Sequence, residues 1–201
     1  MRRNKETPYL CHHLAYIWCL RGIIERYMNI LSVVKMQQED EVDAFRLVTP
    51  TNPAEISIQN IDQRTLITEK TEKNFTAQFV KNDSDNQSKF LLYTYKETLP
   101  PRGIPVLFSA TIDNKRFLMC CDNDSSIYFK KEELPIDISS KHSEFIFYQR
   151  SFSAGHTSFS FESSVKQNFY LAFEEEGNIQ KLILKHCPPG KLDETIQMKV
   201  F

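Results

Sequence analysis

The chain of 201 residues carries 25 basic and 26 acidic residues, for a formal net charge of −1. It therefore lacks the overall positive charge of a general nucleic-acid-binding protein, and no nucleic-acid partner is expected. Hydrophobic residues make up 41% of the chain, which is enough for a buried core. Fifteen Phe and eight Tyr against five Gly favour strands over helices, because aromatic side chains fit a pleated, half-buried surface.

The apolar pattern of residues 1–36 predicts a helical or weakly ordered leader rather than a domain. Two histidines, His12 and His13, interrupt the apolar run Tyr9 to Leu20, and no small-residue cleavage site follows, so we interpret the run as a soluble pro-segment instead of a signal peptide. No apolar run approaches the roughly 18 residues that a membrane span needs. Membrane insertion is therefore not expected.

Residues 37–54 have the polar, Pro-punctuated composition of a linker. Within them, Asp40-Glu41-Val42-Asp43 followed by Ala44 matches the tetrapeptide that executioner-type caspases favour. Such proteases hold the Asp carboxylate with fixed arginines, a bidentate charge recognition, and a small next residue leaves room for attack. The alternative is that the acidic run is only a solvated linker. Cleavage between Asp43 and Ala44 would divide the chain into a pro-segment and linker, 1–43, and a mature domain, 44–201.

From Glu55 onward, short apolar alternations are separated by turn residues at a regular interval. Leu66, Leu118 and Leu171 mark equivalent strands that lie 52 and 53 residues apart. The other predicted strands of the three units centre on Ile56/Ile58, Phe75/Phe79, Leu91/Tyr93, Val106/Phe108, Ile127/Phe129, Phe145/Phe147, Phe159/Phe161, Ile179/Leu182 and Ile196/Met198. Three units of four strands predict an all-β fold, a β-trefoil of twelve strands with pseudo-threefold symmetry.

The C-terminal third carries motifs of a known family. The relevant segments are Phe147-Tyr148-Gln149-Arg150-Ser151, Phe161-Glu162-Ser163-Ser164, Phe169-Tyr170-Leu171-Ala172 and Lys181-Leu182-Ile183-Leu184-Lys185. Together with Tyr95-Lys96-Glu97, Pro101-Arg102-Gly103 and Phe129-Lys130, these segments resemble the interleukin-1 family of cytokines. The resemblance spans residues 55–201 and is strongest from Phe90 onward.

This resemblance implies a β-trefoil without enzymatic activity or cofactor. It further implies a precursor that is made leaderless in the cytoplasm, cut by a caspase and secreted by an unconventional route. The mature protein would act as a monomer that joins two receptor chains with immunoglobulin-like ectodomains. A soluble binding protein is a further partner that the resemblance suggests.

The resemblance also implies receptor-contact positions. Those matching the first receptor site are Lys96, Arg102 and Arg150, with Ser151 beside Arg150, and those matching the second are Lys130 and Glu144. Ile104 is a further receptor-contact candidate. Two departures remove charges from the first site, because Asn178 stands where the family has Asp and Gln59 stands where it has Arg.

Catalytic and metal-binding alternatives find little support. His186 and Cys187 are adjacent, so on a strand they would point to opposite faces and could not act as base and nucleophile. The ligand types in Cys11-His12-His13 and Cys19 fit no zinc spacing. The five cysteines are odd in number, which argues against a disulfide framework. Of the adjacent pair Cys120 and Cys121, we expect one core thiol and one exposed thiol.

Three binding functions remain as alternatives. A lectin-like trefoil would repeat a Gln-x-Trp text, whereas the single tryptophan, Trp18, lies outside the domain. A heparin-binding factor needs excess basic charge. Six basic and six acidic residues precede Ala44, so residues 44–201 retain 19 basic and 20 acidic residues. An intracellular trefoil scaffold would leave the linker uncleaved.

Overall fold

Strands account for nearly all regular structure in the computed structural model, which describes residues 44–48, 52–72, 74–81, 88–97, 102–122, 124–152 and 157–201. The strands are β1 (Phe45–Leu47), β2 (Ala54–Ile56), β3 (Ile58–Asn60), β4 (Thr65–Lys70), β5 (Phe75–Val80), β6 (Phe90–Glu97), β7 (Ile104–Ile112), β8 (Lys115–Cys121), β9 (Ile127–Lys130), β10 (Asp137–Ile138), β11 (Phe147–Ser151), β12 (Ser158–Ser163), β13 (Phe169–Glu176), β14 (Ile179–His186) and β15 (Met198–Val200). A short 3-10 helix, Glu194–Ile196, precedes β15. Within the described ranges, no helix is long and apolar enough to cross a membrane.

Six antiparallel pairings close a barrel. The ring runs from β2 to β6, β7, β11, β12, β15 and back to β3, which continues β2 after a break at Ser57. Three hairpins, β4–β5, β8–β9 and β13–β14, lie outside this ring and pair with one another through β5. This arrangement confirms the predicted β-trefoil, in which each four-strand unit gives its outer strands to the barrel and its inner pair to the cap.

Aromatic side chains from different units fill the barrel. Phe108 packs edge-on against Phe161 at 5.0 Å between ring centroids and against Phe147 at 5.9 Å. All three rings are fully buried, and edge-to-face pairs of this kind add to the stabilisation that comes from area burial. The barrel core thus connects the second and third units through side chains that the alternating pattern predicts to point inward.

The sequence does not predict strand β1, because this strand lies in residues 37–54, whose composition is typical of a linker. Ala44, Phe45 and Leu47 are buried, while Arg46 between them is exposed. β1 pairs with β6 on one side and with the short strand β10 on the other. The linker prediction for residues 37–54 is therefore wrong for residues 44–47, where two alternating apolar side chains, Phe45 and Leu47, are enough to dock a short strand between β6 and β10.

A second apolar cluster lies under β1, on the outer face of the barrel. Phe45 packs there beside Tyr95, Leu107 and Tyr148. The neighbours of these residues on β7 and β11, Phe108 and Phe147, point into the barrel instead. Both faces of β7 and β11 are consequently buried, which explains the nearly continuous apolar run of β7.

The prediction for the adjacent cysteines is half wrong, because Cys120 and Cys121 are both fully buried. Cys121 belongs to the barrel core and its Sγ lies 3.1 Å from Ser163 Oγ. Cys120 faces the other way but lies opposite Tyr128 on the neighbouring strand. A cross-strand neighbour shares the same face, so Cys120 and Tyr128 lie side by side there, and the expected exposure of one thiol is wrong.

We predict that Phe45→Ala destabilises the full-length chain by about 3–5 kcal/mol, the usual cost of truncating a buried Phe. Equilibrium unfolding in urea measures this change. The matched control is Val48→Ala, at a residue just beyond the same strand that is 53% exposed; its effect should stay within about 0.5 kcal/mol. Equal effects of the two substitutions would contradict a structural role for β1.

Candidate functional site

Arg102 and Arg150, two predicted contact residues, meet on one buried carboxylate. Glu162 Oε1 accepts a hydrogen bond of 2.8 Å from Arg102 Nη2, and Glu162 Oε2 lies 2.9 Å from Arg150 Nη2. The second contact is an ion pair only, since among the described residues Oε2 accepts no hydrogen bond of good geometry. The Glu162 side chain is 2% exposed, against 29% for Arg102 and 43% for Arg150.

Strand register explains this meeting. Tyr148 and Arg150 are two residues apart on β11, so their side chains share a face. Glu162 on β12 lies directly opposite Tyr148, which makes it a diagonal neighbour of Arg150. The Arg102 guanidinium stacks over the Tyr148 ring at 4.7 Å from its centroid. We name the surface formed by Arg102, Arg150 and Glu162 the arginine face.

Gly103 allows the loop before β7 to approach β11. A side chain at this position would place its Cβ 2.8 Å from the Gln149 carbonyl oxygen and 3.2 Å from Tyr148 Cβ. Real Cβ atoms do not come so close to backbone oxygen, so any other residue would push the loop away from β11. The same loop carries Arg102, whose carbonyl oxygen accepts a hydrogen bond from Arg150 Nε. The arginine face therefore depends on this glycine.

Glu97 extends the polar contacts beneath the arginine face. Tyr148 Oη donates a hydrogen bond of 2.7 Å to Glu97 Oε1. Burial, and then this hydrogen bond, raise the pKa of Tyr148 well above its ordinary value. The phenol consequently stays protonated and remains a donor at every physiological pH.

Lys96 and Ile104 lie on strands beside the arginine face, but their side chains point to the other side of the sheet. Lys96 alternates with Tyr95 of the outer cluster, and Ile104 alternates with Pro105, the partner of Tyr148. Arg46 on β1 is directly opposite Lys96 on β6, so both exposed cations share one side of the sheet. Ile104 begins β7 opposite Gln149 and is 54% exposed. Sequence reasoning missed Arg46 because it lies in the presumed linker; its place between two apolar residues, Phe45 and Leu47, was the available signal.

Ser151 ends β11 and is exposed immediately beyond Arg150. Its partner across the strands is Phe159 of β12. The position agrees with a place at the edge of the arginine face, and its role stays a prediction.

Lys130 and Glu144, predicted for a second contact site, form an ion pair. Lys130 Nζ lies 3.2 Å from Glu144 Oε1 and 2.8 Å from Glu132 Oε2. Tyr128 Oη donates a hydrogen bond of 2.7 Å to Glu144 Oε2. The hydrogen bonds to Glu132 and Glu144 raise the pKa of Lys130, so this exposed lysine stays charged. We name these residues the lysine face.

Asn178 lies apart from both faces. It occupies the turn between β13 and β14, whereas Tyr170 near the start of β13 lies opposite Glu162. The turn is thus about 20 Å along the strand from the arginine face. Asn178 instead lines a groove of about 500 Å³ with Arg64 and Lys81. Gln59 lies on β3, where its side chain donates to Thr65 Oγ1.

The predicted cleavage site falls partly outside the described residues, which begin at Ala44. Ala44 itself is 1% exposed and directly precedes β1. Its location in the outer apolar cluster makes it the first buried residue of the described domain.

The described residues contain no group of three or more side chains that could hold a metal ion. The adjacent pair His186 and Cys187 face different neighbours. The His186 ring lies 5.0 Å from the Phe169 ring, while Cys187 Sγ donates a hydrogen bond to the Lys191 carbonyl oxygen.

The interleukin-1/18 family model matches residues 79–196. Among related proteins, interleukin-18 of Gallus gallus is 39% identical over 111 residues, and the alignment covers 53% of this chain and 56% of that protein. Interleukin-18 of Sus scrofa is 30% identical over 189 residues, covering 90% of this chain and 95% of that protein. The alignment with the chicken protein thus spans about half of its length, and that with the pig protein spans nearly all of it.

Among solved structures, chicken interleukin-1 beta superposes with a TM-score of 0.58 at 18% identity, covering 78% of this chain and 99% of that one. At this identity the likeness supports the β-trefoil fold alone. The relatives by sequence are cytokines rather than enzymes, which agrees with the prediction that this chain has no catalytic activity. The chain belongs to the interleukin-1 family and is similar to interleukin-18.

Proposed function

We propose that the chain is a pro-inflammatory cytokine precursor that matures by caspase cleavage after Asp43 and signals by bridging interleukin-18-type receptor alpha and beta chains. The observation that carries this proposal is the presence of two separate charged faces on one barrel. The arginine face adjoins the start of β7 at Ile104. About 17 Å further along β7, Ser109 pairs with Leu118, whose other partner is Lys130 of the lysine face. A monomer with two such faces has room for two receptor chains.

The arginine face suits the alpha chain. Arginines are enriched among residues that dominate binding energy, because the planar guanidinium makes several directed hydrogen bonds. Arg150 keeps part of its guanidinium in solvent, whereas the exposed cations Lys96 and Arg46 lie on the other side of the sheet. An acidic patch on an immunoglobulin-like domain would complement this face.

The lysine face suits the beta chain. Its ion pairs are exposed, and exposed pairs contribute only about 0–1 kcal/mol to stability. A partner can therefore draw Lys130 or Glu144 into new contacts at little cost to the fold. The nearby Phe145 ring, 5.5 Å from Lys130 Nζ, adds a partly buried apolar surface.

Cleavage after Asp43 would leave β1 intact, because the first buried residue, Ala44, would become the new N-terminus. A protease holds its substrate extended, so the first residues of β1 must detach before the cut. A three-residue strand whose outer neighbour, β10, has only two residues is the kind of element that opens locally at low free energy. The precursor would be held in the cytoplasm and the mature form released by an unconventional route.

The first test is digestion of the full-length precursor with purified caspases, followed by N-terminal sequencing of the product. We expect a single new N-terminus at Ala44. Asp43→Glu is the matched control: it keeps the negative charge but lengthens the side chain, and it should abolish the cut. A cut elsewhere, or none, would refute the proposed maturation.

The second test is Arg150→Ala with the alpha-chain ectodomain immobilised. Capture should weaken by about 1 kcal/mol or more, the size expected for an arginine in a contact surface. Some loss of stability is also expected, because Glu162 keeps only Arg102, so thermal unfolding is measured in parallel. Lys191→Ala, an exposed lysine in the turn after β14, is the control and should leave capture unchanged. Wild-type capture by the Arg150 variant would remove this residue from the site.

A further inference from the structure

We propose that Glu162 is a positioning residue of the receptor site, holding Arg102 and Arg150 in their binding arrangement before the receptor arrives. The proposal rests on the receptor function of the arginine face. Nothing in the sequence pattern assigns Glu162 to that face, since it occupies a variable position of the motif Phe161-Glu162-Ser163-Ser164.

Glu162 is anchored independently of the arginines. Its Oε1 accepts a hydrogen bond of 2.8 Å from the backbone N–H of Asn168, in the turn that leads into β13. Its own backbone lies in β12, between β11 and β13. Main-chain groups therefore fix the carboxylate, and the partly exposed arginines are arranged around it.

The carboxylate of Glu162 is more buried than the two guanidinium groups, and this difference indicates that Glu162 orders the arginines rather than the reverse. A buried carboxylate without a partner is costly, so the free protein keeps both arginine contacts before any receptor binds. The arginines, in contrast, reach solvent and could rotate into water if the carboxylate were lost. Glu162 thus restrains two long side chains that would otherwise sample many rotamers.

Restraint of this kind favours binding. Immobilising a long side chain at an interface costs free energy, and a side chain that is already ordered avoids that cost. Two further contacts help to order the pair: Arg102 stacks on Tyr148, and Arg150 Nε donates to the Arg102 carbonyl oxygen. Guanidinium groups held this way present their remaining N–H donors in a fixed direction, which suits a carboxylate of the partner.

The test is a double-mutant cycle in the full-length chain, assayed after caspase digestion for capture by the alpha-chain ectodomain. Glu162→Gln keeps the shape of the side chain and removes its charge. We expect about tenfold weaker capture, the size expected when two long side chains must be ordered on binding. In the Arg102→Ala/Arg150→Ala background, Glu162→Gln should have no further effect.

A merely structural role predicts a different result, namely an equal loss of capture in both backgrounds, and that result would overturn the proposal. Wild-type capture by Glu162→Gln, with weakened capture by the arginine variants, would overturn it as well while leaving the receptor site in place. If the arginine variants themselves bind normally, the receptor site is wrong and this inference falls with it.

Two further variants control for the change in net charge and for a failure of Glu162→Gln to fold. Glu174→Gln changes the net charge equally at an exposed position of β13 and should leave capture unchanged. Should Glu162→Gln fail to fold, as judged by thermal unfolding, Glu162→Asp carries the same cycle. It retains the charge but is one methylene shorter, so a smaller loss is expected, again confined to the background that contains both arginines.

Discussion

Closure of the six-stranded barrel is the constraint on which the rest of the structure depends. Each strand of the ring must present apolar side chains inward at every second position, and each must pair on both edges. A side-chain period of two then assigns every remaining position to the outer face. The positions of Tyr148, Arg150 and Glu162 on that face follow from the inward placement of Phe147 and Phe161.

The outer face of the barrel is where this protein departs from a simple inside-outside alternation. Tyr95, Leu107 and Tyr148 are too apolar for solvent, and β1 covers them. The covering strand is only three residues long, yet it brings Arg46 beside Lys96. Apolar burial on the outer face and positive charge at the surface therefore arise from the same short strand, since its alternate side chains serve each purpose.

Much of the fold could be predicted from the sequence, because the strands of a trefoil repeat and their aromatic residues alternate. Leu66, Leu118 and Leu171 all lie in strands at the expected step. Strand β1 could not be predicted in the same way. Phe45 and Leu47 lie outside the three repeated units. The acidic and proline residues around them give the segment the composition of a linker. The prediction of one exposed thiol was wrong for a related reason. The burial of Cys120 depends on strand pairing, which places it opposite Tyr128, rather than on its neighbours in the sequence.

The sequence predicted individual residues of the candidate site but not how they contact one another. Arg102, Arg150, Lys130 and Glu144 could be named by resemblance, but their contacts could not. The ion pair between Lys130 and Glu144 joins the end of β9 to the loop before β11. The carboxylate between the two arginines comes from β12, a segment separate from both of theirs.

In the sequence, Glu162 is one residue of the motif Phe161-Glu162-Ser163-Ser164, and nothing there marks it as buried. Only the register that places it opposite Tyr148 shows that it is buried, and only the hydrogen bond from Asn168 shows what holds it there. A buried charge of this kind is tolerated because oppositely charged neighbours pair with it, and those neighbours are in turn ordered by it. In this protein the neighbours are the two arginines of the candidate receptor site, so a requirement of the fold and the geometry of the binding surface are met by the same carboxylate.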